Sequence, residues 1–142
     1  MPRVLIADDD QRNAELLEAH LDGTGWDTKL AVNGEEALNF AKEWNPDVIL
    51  LDVMMPKFSG FEVCKRLRAD AATKAVGVLM ITALDQPNDI ERAIDAGTDD
   101  FLTKPINKTE LLLRIRAVLD AKTEPTDVAR GLSYFRRVLQ GV

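Results

Sequence analysis

Residues 46–56 read PDVILLDVMMP, and this segment carries the clearest signal for secondary structure in the chain. Its centre, residues 48–51, is a continuous apolar run without polar alternation. Such a run predicts a strand that is buried on both faces, as central strands of parallel sheets are. Pro46 ends the amphipathic stretch before the strand. Asp52 then provides a carboxylate at the point where the strand stops.

The same pattern recurs on both sides of this strand. Apolar runs at residues 3–7, 77–81 and 99–103 predict three more strands, and the more polar residues 26–32 predict a strand near an edge. Amphipathic stretches separate them and predict helices; these stretches are residues 10–21, 33–44, 59–69, 85–96 and 107–121. Five strand–helix repeats predict an α/β protein, a doubly wound parallel sheet with helices on both faces.

Composition excludes several classes of protein. The chain has 142 residues, 46% of them hydrophobic, which predicts one domain with a short appendage. The net charge of -6 argues against direct DNA binding by this chain. The single cysteine, Cys64, offers no internal disulfide, and we expect it to be buried. No apolar run is long enough for a membrane span, so we expect a cytoplasmic protein without membrane contact.

Polar residues stand where four of the predicted strands end. Asp8 and Asp9 follow the first strand, Asp52 ends the third, Thr82 ends the fourth, and Lys104 follows the fifth. The carboxyl ends of parallel strands share one edge, so these side chains should meet. A carboxylate cluster suits Mg2+, and a lysine with a hydroxyl beside it suits a phosphoryl group.

Four motifs, in this order and spacing, resemble the receiver domain of two-component response regulators, the CheY-like superfamily. They are VLIADDD at residues 4–10, PDVILLDVMMP at 46–56, ITA at 81–83 and GTDDFLTKP at 97–105. The resemblance implies a flavodoxin-like five-stranded sheet of strand order 2-1-3-4-5. It also divides the chain into a receiver domain, residues 1–121, and a tail, residues 122–142.

The resemblance further implies a phosphoacceptor and a metal site. Asp52 would accept a phosphoryl group from a sensor histidine kinase or a histidine phosphotransfer protein. Asp8, Asp9 and Asp52 would hold Mg2+, with Mn2+ as an alternative ion, and the backbone carbonyl of Met54 would be a further ligand. The domain would catalyse only its own phosphorylation and dephosphorylation and would not be an enzyme acting on other substrates.

The remaining site residues are also implied by the resemblance. Thr82, with Ala83 beside it, would bind the phosphoryl oxygens and act as the switch hydroxyl, and Lys104 would pair first with Asp52 and then with the phosphoryl group. Phe101 would be the aromatic switch residue. The Lys104–Pro105 peptide bond would be cis. Phosphorylation would then change the face formed by the fourth helix, fifth strand and fifth helix, and so control a downstream effector.

Two further features of the sequence concern the lifetime of the phosphoryl group and the oligomeric state of the chain. The resemblance also implies that positions 54 and 84 flank the approach of water to the phosphoryl group. Both are apolar here, Met54 and Leu84, which predicts slow dephosphorylation. In the tail, residues 126–140 predict a short amphipathic helix that docks on the receiver, pairs with a second chain or begins a connector to an output domain. We therefore expect a monomer or a homodimer.

Two alternatives use the same acidic edge. A metal-dependent phosphohydrolase with an aspartyl nucleophile would need a proton-transferring side chain two residues after Asp52, where this chain has Met54. A degenerate receiver that works without phosphorylation would lack site residues, and every one is present.

Overall fold

The structure is a computed structural model that describes residues 1–83 and 86–121. Within these residues five strands alternate with five helices. The strands are β1 Arg3–Ala7, β2 Asp27–Ala31, β3 Val48–Asp52, β4 Gly77–Thr82 and β5 Asp100–Thr103. The helices are α1 Gln11–His20, α2 Gly34–Glu43, α3 Gly60–Ala69, α4 Pro87–Ala96 and α5 Lys108–Ala121.

The five strands form one parallel sheet of order β2-β1-β3-β4-β5, which confirms the predicted flavodoxin-like fold class. Pairing places Ala7 beside Leu51, and Asp52 beside Ile81. The carboxyl ends of β1, β3 and β4 therefore lie next to one another. That edge of the sheet is where parallel α/β folds bind ligands.

The absence of polar alternation in β3 and β4 follows from burial on both faces. Every residue of these two strands is buried. Val48 and Leu50 join an apolar cluster that includes residues of α1 and α5, whereas Ile49 and Leu51 join a second cluster that includes residues of α2, α3 and α4. The sheet is thus covered by helices on both faces. The edge strand β2 is only partly buried, as its polar sequence predicts.

Four helices begin at a polar side chain that accepts a hydrogen bond from a backbone N–H two or three residues later. These N-caps are Asp10, Asn33, Ser59 and Asn107, with donor–acceptor distances of 2.8 to 3.3 Å for the shortest bond of each. Such caps satisfy backbone groups that a helix terminus leaves without intrahelical partners. They therefore fix where the chain leaves the carboxyl edge of the sheet.

Three strand boundaries differ from prediction by one residue each. β2 is shorter at both ends, and β5 begins at Asp100. Just before β5, the N–H of Asp99 donates a 2.9 Å hydrogen bond to the carbonyl oxygen of Val78, and the carboxylate of Asp99 accepts hydrogen bonds from the N–H of Val78 and from Arg68. Cys64 is buried, as expected. Leu84 and the whole tail, residues 122–142, lie outside the described residues. In the described ranges, every helix is too short or too polar to cross a membrane.

Candidate phosphoryl and metal site

Three carboxylates meet at the carboxyl edge of the sheet. Asp8 and Asp9 follow β1, Asp52 ends β3, and one oxygen from each lies within 4.8 Å of the others. Asp8 is 1% exposed and Asp52 is 6% exposed, whereas Asp9 is exposed. The register of the sheet brings the three together, as the sequence predicts.

The donor set fits a hard divalent cation. Oδ1 of Asp8 accepts a hydrogen bond of 2.9 Å from the N–H of Asp10, but the buried Oδ2 of Asp8 has no hydrogen-bond partner among the described residues. A buried carboxylate oxygen without a hydrogen bond is costly unless a cation is near. Carboxylate oxygens are also the ligands that Mg2+ prefers.

Lys104 provides the fixed positive charge of the site. Its Nζ lies 3.6 Å from Oδ2 of Asp8 and 3.7 Å from Oδ2 of Asp52. The backbone helps to place it, because the N–H of Lys104 donates a 2.8 Å hydrogen bond to the carbonyl oxygen of Thr82. The Lys104–Pro105 peptide bond is cis.

The electrostatics of Asp52 reflect its position inside the protein. Burial raises the pKa of Asp52 from 3.8 to about 6, and the negative charge of Asp8 adds to the rise. The ammonium group of Lys104 opposes this rise in pKa, as does the N–H of Met54, which donates a 3.3 Å hydrogen bond to Oδ1 of Asp52. Without a divalent cation, the ionised form of Asp52 is therefore disfavoured.

The other predicted site residues differ in exposure. Thr82 is fully buried at the end of β4, next to β5, and Ala83 after it is exposed. Phe101, in β5, is half-buried and packs against the apolar cluster that contains α4 residues. Met54 exposes 62% of its surface just after Asp52. Leu84 cannot be located, since it lies outside the described residues.

Gly60 shapes the site but was not predicted as a site residue from the sequence. Gly60 opens α3, and a Cβ added to it would lie 2.5 Å from the backbone oxygen of Asp52 and 2.8 Å from the Cα of Val53. The start of α3 can therefore approach the loop after β3 this closely only because residue 60 is glycine. The sequence shows that Gly60 follows Asp52 by eight residues. It does not show how closely the backbone at Gly60 approaches the backbone at Asp52.

The comparisons with known proteins agree with this geometry. A family model for the response regulator receiver domain matches residues 4–116. Over 119 residues the chain is 46% identical to the DNA-binding dual master transcriptional regulator RpaA of Synechocystis sp., an alignment that covers 84% of this chain and 49% of that protein. The chain spans between about a quarter and about half of the length of the curated relatives RpaA, PleD and MprA.

Solved structures show the same likeness. The receiver domain of the Francisella response regulator 1452 superposes with a TM-score of 0.79 at 35% identity, covering 87% of this chain and all of that one (100%). The BeF3-activated DrrB receiver domain superposes with a TM-score of 0.75 at 30% identity, covering 84% of this chain and 98% of that one. The chain therefore belongs to the response regulator receiver domain family, whose members are phosphorylation-activated signalling switches of two-component systems.

Proposed function

We propose that Asp52 is the phosphoacceptor of this receiver domain. The observation that carries the proposal is the cluster of three carboxylates within 4.8 Å, with Lys104 Nζ 3.7 Å from Oδ2 of Asp52. A carboxylate oxygen of Asp52 attacks the phosphorus of a phosphohistidine and the P–N bond breaks. Its electron pair stays on the ring nitrogen, and the ring leaves as neutral imidazole because its other nitrogen already carries a proton. The product is an acyl phosphate on Asp52.

Asp8, Asp9 and Asp52 would hold Mg2+, or Mn2+ as an alternative, together with the backbone carbonyl of Met54. When bound, the cation supplies positive charge next to the transferring phosphoryl oxygens. The buried Oδ2 of Asp8, which accepts no hydrogen bond from the described part of the chain and has only the ammonium group of Lys104 nearby, at 3.6 Å, supports this assignment. Lys104 offsets further charge, first on Asp52 and then on the phosphoryl group.

Thr82 and Phe101 would carry the signal. The hydroxyl of Thr82 binds a phosphoryl oxygen, beside Ala83, and Phe101 moves inward when Thr82 moves. Their positions support this, because β4 and β5 pair directly and Thr82 lies opposite Thr103. The new phosphoryl contacts favour a second conformation of α4, β5 and α5, so the switch is a shift between two populations.

The face formed by α4, β5 and α5 has the composition of a docking surface. Ile90 and Ile94 on α4 expose 40% and 65% of their surface. In α5, Arg114 forms ion pairs with Asp100 of β5, at 3.1 Å, and with Glu110, at 3.7 Å. An effector with an apolar, partly charged patch would fit this face, and so would a second copy of the chain.

Receiver domains of response regulators interact with histidine kinases, and we propose a sensor histidine kinase or a histidine phosphotransfer protein as the donor for this chain. Transfer would take place in the cytoplasm, where such a kinase finds ATP. RpaA is named as DNA-binding, but this chain aligns to only 49% of it. The net charge of -6 opposes direct contact between this chain and DNA.

A phosphohydrolase acting on other substrates is not favoured. Water would hydrolyse the acyl phosphate in the same site, so the domain would catalyse its own phosphorylation and dephosphorylation. Turnover of external phosphate esters would need a side chain that transfers protons next to Asp52. Met54, two residues further on, cannot do so.

The switch is tested with beryllofluoride, a phosphoryl mimic, by recording amide NMR spectra with Mg2+ present. We expect shifts at Thr82 and Phe101 and along α4 and α5, and none of these in Asp52→Asn. The matched control is Asp22→Asn, which changes an exposed carboxylate outside the site. Shifts confined to residues that line the acidic edge would contradict the switch, and equal shifts in Asp52→Asn would contradict the assignment of the acceptor.

A further inference from the structure

The turn between β1 and α1 links the metal site to a helix cap. Oδ1 of Asp10 accepts hydrogen bonds from the N–H of Arg12, at 2.9 Å, and from the N–H of Asn13, at 3.4 Å. The side chain of Asp10 thus caps α1. At the same time, the N–H of Asp10 donates a 2.9 Å hydrogen bond to Oδ1 of Asp8.

The hydrogen bond from the N–H of Asp10 determines which oxygen of Asp8 is available to a cation. Asp8 is 1% exposed, so water does not compete for its carboxylate. Oδ1 is occupied by the N–H of Asp10, whereas Oδ2 has no hydrogen-bond partner in residues 1–83 and 86–121 and lies 3.6 Å from Nζ of Lys104. The orientation of this carboxylate therefore depends on where the backbone of residue 10 is held.

We propose that Asp10 is a positioning residue for the metal site. By capping α1, its side chain fixes its own N–H against Oδ1 of Asp8, and this turns Oδ2 of Asp8 toward the ion. Asp10 itself need not touch the ion. The inference rests on the proposed Mg2+ site, and it adds a hydrogen-bond relay from a helix terminus to a metal ligand.

A simpler role for Asp10 would be electrostatic, since a third consecutive carboxylate attracts cations. The two roles differ in what replaces aspartate successfully. Asparagine and serine cap helices well but carry no charge. Alanine neither caps a helix well nor carries a charge. A positioning role predicts that Mg2+ affinity follows capping ability, and an electrostatic role predicts that it follows charge.

The test is a calorimetric titration of the full chain with Mg2+ alone. We expect Asp10→Asn and Asp10→Ser to bind Mg2+ within about threefold of the parent, and Asp10→Ala to bind about tenfold more weakly, the lower end of the loss typical for partners that orient metal ligands. The control is Val118→Ala. Val118 lies in α5 against Gly77 at the start of β4, so this change destabilises the fold away from the acidic edge and should leave Mg2+ affinity unchanged.

Amide hydrogen exchange at residue 10 in the metal-free protein is the second readout. Exchange should be faster in Asp10→Ala than in the parent or in Asp10→Asn, because the hydrogen bond to Asp8 is less populated. Equal affinity in Asp10→Ala and the parent would overturn the proposal, and so would equal weakening in Asp10→Asn and Asp10→Ala. If the parent itself did not bind Mg2+, the proposed metal site would be wrong. Unchanged amide exchange at residue 10 in Asp10→Ala would refute the positioning role of Asp10, whether or not Mg2+ binds.

Discussion

Replacing Asp52 with asparagine should stabilise the metal-free protein at neutral pH. The folded protein raises the pKa of Asp52 from 3.8 to about 6, chiefly by burial and then by the charge of Asp8. A rise of about 2 units corresponds to at most about 3 kcal/mol of unfolding free energy at neutral pH. We expect a gain of about 1–3 kcal/mol, because Lys104 loses one carboxylate partner in the variant.

The pH dependence of this gain has a defined sign. A carboxyl group whose pKa is higher in the folded protein favours folding in its protonated form, and this advantage is lost as the pH rises. The difference between Asp52→Asn and the parent should therefore be near zero below pH of about 4, grow between about 4 and 6, and stay constant above. The exposed control, Asp22→Asn, should show no such growth.

Urea denaturation in the presence of a chelator, repeated across this pH range, measures the effect. Adding Mg2+ should then shrink or reverse the difference, because the ion stabilises the parent by mass action and the variant has lost a ligand. If Asp52→Asn were less stable than the parent at neutral pH without divalent ions, burial and the charge of Asp8 would not be destabilising the ionised form of Asp52. A gain that did not vary with pH would also refute the prediction, since the cause would then not be ionisation.

Three further predictions concern neighbouring residues. Asp9→Ala should also raise the melting temperature of the metal-free protein, by less than Asp52→Asn because Asp9 is exposed, while abolishing the thermal stabilisation by Mg2+; a melting temperature clearly below that of the parent would contradict this. Gly60→Ala should lower the unfolding free energy by about 1–3 kcal/mol in urea, since the new Cβ would lie 2.5 Å from the backbone oxygen of Asp52; an unchanged midpoint would show that the loop yields freely. The phosphorylated parent should keep its phosphoryl group for minutes or longer, and Met54→Asn should shorten that time because a polar side chain can orient water; a lifetime of seconds in the parent would contradict the role given to the exposed apolar side chain of Met54.

Local patterns were sufficient to predict the fold. The apolar residues 48–51 predicted a central strand, and the structure buries them between two helix layers. The more polar residues 26–32 predicted a strand near an edge, and β2 lies at the edge of the sheet. The start of β5 differs from the prediction by one residue. Asp99 contacts Val78 and Arg68, which are distant in sequence, and local propensity does not encode such contacts.

The composition of the site could also be predicted, but its internal geometry could not. That Asp8, Asp9 and Asp52 would meet followed from parallel strands ending at one edge. Which oxygen of Asp8 is occupied depends on a hydrogen bond to the N–H of Asp10, and the closeness of Gly60 depends on how α3 approaches β3. Both are distances set by packing of the whole domain, which the residue pattern alone does not give.

Mapping the modified residue is a direct test of whether Asp52 accepts the phosphoryl group. The full chain is incubated with acetyl phosphate and Mg2+, the acyl phosphate is trapped by borohydride reduction, and the peptides are sequenced by mass spectrometry. We predict a single modified residue, Asp52, with modification lost on chelation of Mg2+ and in Asp52→Asn but kept in Asp22→Asn. Modification at another residue, or undiminished phosphorylation of Asp52→Asn, would contradict the account.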